Sequence, residues 1–201
     1  MSESVSVVTY LDFGPSFAQT APTGLRAWAA GAGSQSGADG AILLNEVSRS
    51  ERFALVETWT DQESLNAHQT SGARQELSKA TGLAAPPDER VGEPFSIGSA
   101  RPAGPGALYV LVHVDVIPLN LGAVGEWLKA ESELAGSASG ALQYDVWRQV
   151  GRPNHFTVIQ AWADSEAYAR HVEAAPTRAF RANVMSVKGA LYDERLYRRV
   201  A

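Results

Sequence analysis

Two histidines stand nine residues after a tryptophan, His68 after Trp59 and His171 after Trp162, and both suit proton transfer near neutral pH. Such a base acts on a weakly acidic hydroxyl or carbon held in a largely apolar pocket with a few polar groups. His68 and His171 are therefore the candidate catalytic residues. Tyr168, His171 and Val172 lie three or four apart at helical spacing, which places the imidazole on a partly apolar face, at a pocket rim. Trp162, Tyr168, Tyr144, Trp147, Trp59 and Arg178 are the candidate substrate-pocket residues. The same spacing also suits a histidine whose apolar edge is tucked against a sheet with one nitrogen in water. Large aromatics at matched positions also serve as core anchors. Trp28 and Trp127, at helical spacing from Leu25 and Val124, are read as core.

Other chemistry is more weakly specified. His113 and Asp115 share one side of a strand and, with His155, suggest an acid–base pair or part of a metal site, but no third ligand is fixed, so no metal is expected. Arg178 and Arg181, one turn apart, either hold an acidic substrate group or solvate a helix. No glycine-rich loop follows a strand and opens a helix at the spacing that cradles a phosphate, so no nucleotide cofactor is implied. The 201 residues contain no cysteine, which removes disulfides, thiolate metal sites and a cysteine nucleophile together. A formal net charge of −5 gives no basic footprint for nucleic acid. The start, Met1-Ser2-Glu3, lacks a basic region followed by an apolar stretch, and no run reaches bilayer length, so a cytoplasmic chain with no membrane partner is expected.

The elements that must position these residues emerge from an internal repeat. When Glu51–Gly82 is laid beneath Asn154–Gly189, matched residues recur at an offset of 103, pairing Phe53 with Phe156, Trp59 with Trp162, Asp61 with Asp164, Glu63 with Glu166 and His68 with His171. Upstream, Leu25 and Trp28 align with Val124 and Trp127, and Gly40 with Gly140, at an offset three or four smaller, which a longer hairpin in the second copy would explain. In each copy a β-branched run (Val5–Asp12, Leu108–Ile117) precedes a helical pattern (Pro15–Gly33, Pro118–Gly136). Hairpins follow, from Gly40–Val47 with Arg52–Thr60 and from Gly140–Val150 with His155–Ala163. Asp61 and Asp164 are N-caps of second helices, interrupted at Ser71-Gly72 and Ala175-Pro176. Last strands run over Gly92–Ser99 and Ala190–Val200.

The order βαββαβ, twice, predicts an α+β protein made of two ferredoxin-like repeats. The boundaries fall at 1–99 and 107–201, with a proline- and glycine-rich linker over 100–106. Each repeat leaves one apolar sheet face open, so the copies are expected to cover each other as an intramolecular pseudo-dimer, with further homo-oligomers possible.

The pattern Phe156-x-x-x-x-x-Trp162-x-Asp164-x-Glu166 followed by Tyr168 and His171 resembles the antibiotic biosynthesis monooxygenase (ABM) family. It is preceded by Gly140-Ala-Leu-Gln-Tyr144-Asp-Val-Trp147 and closed by Leu191–Tyr197, and a weaker version occupies the first copy. The resemblance covers nearly the whole chain and implies the dimeric α+β barrel fold. It spans cofactor-free oxygenases of anthrones and quinols as well as haem-degrading enzymes. The anthrone oxygenases pair the strand Trp with an Asn four residues before it and a Tyr six after. Trp59 has Leu55 and Leu65 there, and Trp162 has Val158 and Tyr168, so only the Tyr survives, in the second copy. In the haem-degrading pattern a Trp is required where His68 or His171 stands, and a His where Ser78 or Arg181 stands, which disfavours that branch.

What the resemblance implies is a monooxygenase without cofactor that oxidises a quinol, phenol or polyketide anthrone with O₂, the deprotonated substrate being the electron donor. The alternatives are a non-catalytic small-molecule binding or stress-response protein on the same fold, or another reaction, such as isomerisation or decarboxylation, using a helix histidine. Tyr144, Trp147 and Tyr168 give the second copy more aromatic surface than Leu44, Val47 and Leu65 give the first, so one active pocket, C-terminal, is expected.

Overall fold

The structure, a computed structural model, describes residues 4–14, 21–72, 83–190 and 192–200. The first repeat runs β1 (Val5–Asp12), α1 (Ala21–Gly33), β2 (Ala38–Glu46), β3 (Arg49–Trp59), α2 (Gln62–Gln69) and β4 (Asp88–Ser96). The second runs β5 (Leu108–Asp115), α3 (Leu121–Ser137), β6 (Ala141–Gln149), β7 (His155–Trp162), α4 (Ser165–Glu173), α5 (Ala175–Val187) and β8 (Asp193–Arg199). Residues 15–20 of the expected first helix, 73–82 beyond the Ser71-Gly72 interruption, including Ser78, and Leu191 lie outside the described residues.

Each repeat forms a four-stranded antiparallel sheet, in the order β4-β1-β3-β2 and β8-β5-β7-β6. The duplication extends to individual pairs. Val5 faces Trp59 and Asp12 faces Arg52 in the first, while Leu108 faces Trp162 and Asp115 faces His155 in the second, each displaced by 103. The chain is thus α+β, with two βαββαβ repeats, as its pattern of elements predicts. The chain clusters into two compact units, Met1–Glu93 with Arg198–Ala201, and Pro94–Tyr197. In the first unit Val200 packs against the cluster that contains Leu11, Leu25 and Phe53 and donates its amide to the Leu43 carbonyl at 2.9 Å. In the second, Phe95 packs edge-on against Phe156 at 5.0 Å between ring centres.

The apparent change of offset has another origin than hairpin length. Ala38 faces Trp59 and Ala141 faces Trp162, so the hairpins also keep the offset of 103. Gly37 and Gly140, both with positive φ (+81° and +84°), are the matched glycines, in place of Gly40 and Gly140. The same offset puts Leu25 with Leu128 and Trp28 with Glu131. An alignment slipped by four residues shifts a helix by about one turn and keeps the buried stripe in phase, so hydrophobic pattern alone does not choose between the two. Contact with the histidines chooses: Trp28 lies 6.0 Å from the His68 ring, and Glu131 touches His171.

Those two glycines join first helix to hairpin where space is short. A Cβ on Gly140 would meet the Ala167 Cβ at 2.5 Å, and one on Gly37 would meet the Ser64 Oγ at 2.2 Å. The left-handed backbone alone costs an L-residue about 1–2 kcal/mol. Gly140→Ala should therefore lower stability by more than about 2 kcal/mol, read as a shift of the urea midpoint, whereas Gly136→Ala, with open space around its Cβ, should leave it unchanged or raised.

Candidate active site

The second helix of each repeat is started by an aspartate. The Asp164 carboxylate accepts from the Ala167 amide at 2.7 Å, and that of Asp61 from the Ser64 amide at 2.7 Å. With the start fixed, the residues four and seven beyond the cap face inward. Tyr168 and His171 are buried in the second repeat, Leu65 and His68 in the first. The strand tryptophan completes the arrangement. Trp162 stacks on His171 with ring centres 4.6 Å apart, and Trp59 stacks on His68 at 4.7 Å.

The acid beside each histidine comes from a different element. In the first repeat Glu57 on β3 lies 3.2 Å from His68 Nε2, and Gln35 Oε1 lies 3.0 Å from Nδ1. In the second repeat the strand position of Glu57 is Gln160, whose Oε1 accepts from the Trp162 indole N–H at 3.0 Å. Glu131 of α3 supplies the carboxylate instead, 3.5 Å from His171 Nε2. The Thr177 hydroxyl lies 3.4 Å from Nδ1. It arrives there because the chain breaks between α4 and α5. Ala174 is extended (ψ 137°), and Pro176 in the first turn of α5 lacks the N–H that a continuous helix would need.

His171 and Thr177 face a pocket of about 320 Å³ bounded by Leu134, Ala138, Ala167, Arg170, Ala174 and Pro176, with the Ser137 and Ser139 hydroxyls beside them. Its lining does not include Trp162, Tyr168, Tyr144 or Trp147. Trp162, Tyr144 and Tyr168 instead enclose the imidazole within the core, the last two at 6.0 and 6.4 Å between ring centres. Trp147 is buried on β6, Trp59 belongs with His68, and Arg178 is exposed on α5. His171 is only 6% exposed, so it forms the pocket's floor rather than its rim.

Beside this pair lies a half-buried polar network. Glu194 on β8 accepts from the Tyr168 hydroxyl, from the Tyr192 hydroxyl at 3.1 Å and from the Arg181 guanidinium at 2.8 Å. Arg181 also donates to the Tyr168 oxygen at 3.2 Å. Burial, reinforced by the Glu194 charge, pushes both phenols up, so they remain donors at all ordinary pH values. Neither Glu131 nor Glu194 is named by the repeat pattern. Glu131 was nevertheless visible as a carboxylate within the buried stripe Val124, Leu128, Ala135. Thr177 was marked only by following the helix break.

Burial, with a smaller contribution from the Arg181 charge, lowers the His171 pKa to about 4. Burial raises that of Glu131, offset in part by the Thr177 hydroxyl and Arg181. Since the unfolded chain protonates His171 near pH 6.5 and the folded chain only near 4, its contribution to stability is present above 6.5 and lost as pH falls between those values. The loss is on the order of 3 kcal/mol by linkage. Glu131 acts in the opposite sense, losing stability as pH rises through its raised value. Comparing wild type with His171→Gln removes the Glu131 contribution, and wild type should lose more stability than the variant between pH 6.5 and 4, measured by urea melts.

His113 Nδ1 lies 3.2 Å from the Thr157 hydroxyl, and His155 Nε2 lies 3.5 Å from Asp115. Among the described residues no three His, Asp or Glu side chains are grouped to hold a metal ion, and no helix is long and apolar enough to cross a membrane.

Residues 107–183 match the family model described as antibiotic biosynthesis monooxygenase, which lies within the second repeat. Solved structures similar in fold to the whole chain include the following three. A protein from Fusobacterium nucleatum, provisionally described as a monooxygenase, has 13% identity, covers 100% of this chain and 94% of its own, and gives a TM-score of 0.87. Another of the same provisional description, from Lactobacillus acidophilus, has 14% identity over 100% and 95% of the two chains with a TM-score of 0.76. An anthrone oxidase-like protein has 12% identity over 100% and 92%, also with a TM-score of 0.76. At these identities the likeness establishes the fold. No curated protein matches the sequence.

Proposed function

We propose, for a chain whose second repeat belongs to the antibiotic biosynthesis monooxygenase family, that it is a monooxygenase oxidising an electron-rich quinol, phenol or anthrone-type aromatic with O₂ at His171, with neither metal nor flavin. The observation that carries this reading is a buried imidazole facing a largely apolar pocket, with a carboxylate at its inner nitrogen and a hydroxyl at its outer one.

The partners assign the proton positions. Glu131 faces Nε2, which assigns the hydrogen to Nε2 and leaves Nδ1, with the Thr177 oxygen 3.4 Å away, as the acceptor for a substrate hydroxyl or acidic C–H. An imidazole with a pKa of about 4 is a weak base alone. The carboxylate at 3.5 Å closes on Nε2–H as positive charge develops, which raises basicity only when the proton moves. For a methylene substrate, the C–H proton goes to Nδ1 and the carbanion reduces O₂, forming a C–O bond. The resulting peroxide anion takes the proton back to give the hydroperoxide R₂CHOOH. Its second C–H proton is then removed as the O–O bond breaks and the C=O bond forms, and the distal hydroxyl leaves with that proton as water, so R₂CH₂ and O₂ give R₂C=O and H₂O.

In the first repeat Gln35 occupies His68 Nδ1, Glu57 lies 3.2 Å from Nε2 without a hydrogen bond to it, and His68 is only 1% exposed. That geometry supports a structural role for the first repeat. Oxygen uptake by chelator-treated, flavin-free protein with a panel of hydroquinones and anthrones tests the proposal. Uptake with at least one is expected, and none with any would leave a non-catalytic binding protein.

A further inference from the structure

One wall of the pocket carries a cation with no ion pair among the described residues. Arg170, on the exposed side of α4, lines the pocket, and its guanidinium makes no ion pair or hydrogen bond among the described residues. Glu166 and Glu173 flank it at helical spacing without pairing with it. A second source of positive potential converges on the same space. The N-terminus of the 13-residue helix α5 has no side-chain cap, and Ala174, Pro176 and Thr177 bring it to the pocket wall. The one carboxylate in contact with the floor, Glu131, lies on the Nε2 side of His171 and is itself buried. The neighbouring arginines are not available for the same task. Arg181 is held by Glu194, and Arg178 is outside the lining.

The remaining lining is Leu134, Ala138, Ala167 and Pro176, an apolar surface suited to ring faces. A volume of about 320 Å³ is at the lower end for small-molecule sites, which favours the phenols and quinols of the reading above over the larger, tricyclic anthrones. We propose that the substrate is a small aromatic acid, a mono- or bicyclic phenol or quinol, whose carboxylate pairs with Arg170 at the pocket mouth while its hydroxyl reaches His171. Guanidinium takes a carboxylate through two parallel N–H···O bonds, so Arg170 sets both affinity and orientation. The assignment of the hydroxyl end rests on the reaction proposed above, whereas the assignment of the acid end rests on Arg170 and α5.

Binding separates the two. Quenching of tryptophan fluorescence is measured with 6-hydroxy-2-naphthoate and with uncharged 2-naphthol, on wild type, Arg170→Gln, Arg170→Lys and His171→Gln. Wild type should bind the acid at least tenfold more tightly than the naphthol. Arg170→Gln should abolish that preference, Arg170→Lys should keep part of it, and His171→Gln should retain it in full. Equal binding of the two probes by wild type, or a preference that survives Arg170→Gln, would overturn the proposal. Absence of oxygen uptake with the preference intact would refute the oxygenase reading alone.

Discussion

His171→Ala should reduce oxygen uptake with any accepted quinol or anthrone by about 10²–10⁴-fold, the usual contribution of a positioned general base. The fall should appear in kcat and kcat/KM together, since the proton moves only in the transition state. Glu131→Gln should lower the rate by less, because the imidazole stays in place and loses only the charge that closes on Nε2–H. His68→Ala is the control. Its ring is stacked and hydrogen-bonded like that of His171, but its nitrogens face Glu57 and Gln35, so the variant should be destabilised while its remaining folded fraction turns over normally. Assays normalised to folded protein by circular dichroism distinguish the two outcomes. A His68→Ala enzyme with the same catalytic loss as His171→Ala would place chemistry in both repeats.

The largest effect on stability should come from Trp162→Ala. The side chain is completely buried, stacks on His171, donates to Gln160 and packs within a cluster that includes Leu108, Val158 and Ala167. Removing a buried aromatic typically costs about 3–5 kcal/mol, through lost transfer free energy and a residual cavity. Loss of the indole N–H also leaves the buried Gln160 amide oxygen without that donor, which adds to the cost. Trp162→Phe should cost less, since most of the volume remains. Urea midpoints of the two variants check the order.

The fold was legible because its signals are repeated. A single Trp-x-Asp with a following helix is weak, but two at one offset fix strand, cap and helix together, and the pairs Val5–Trp59 and Leu108–Trp162 confirm that offset at residue level. The helix register was not legible, because shifting α1 against α3 by one turn keeps apolar residues facing the core. Only the contact of Glu131 with His171 and of Trp28 with His68 resolves it. The same contacts explain why the candidate site was partly missed. Repetition draws attention to residues that both copies share, such as Trp162 and His171, and hides those that differ. Glu57 and Glu131 supply the same charge from non-equivalent positions, so no alignment of the copies pairs them. Arg170 and Thr177 reach one pocket only because Ala174 breaks the helix.

The most direct test of His171 as the base is the acid limb of kcat/KM against pH, measured for wild type and for the residual activity of His171→Gln. Burial holds the imidazole below its ordinary pKa, so wild-type kcat/KM should stay level through pH 7 and fall tenfold per unit only below the lowered value, near 4, while the variant lacks that limb. An acid limb of the same position and slope in both enzymes would show that another group accepts the proton.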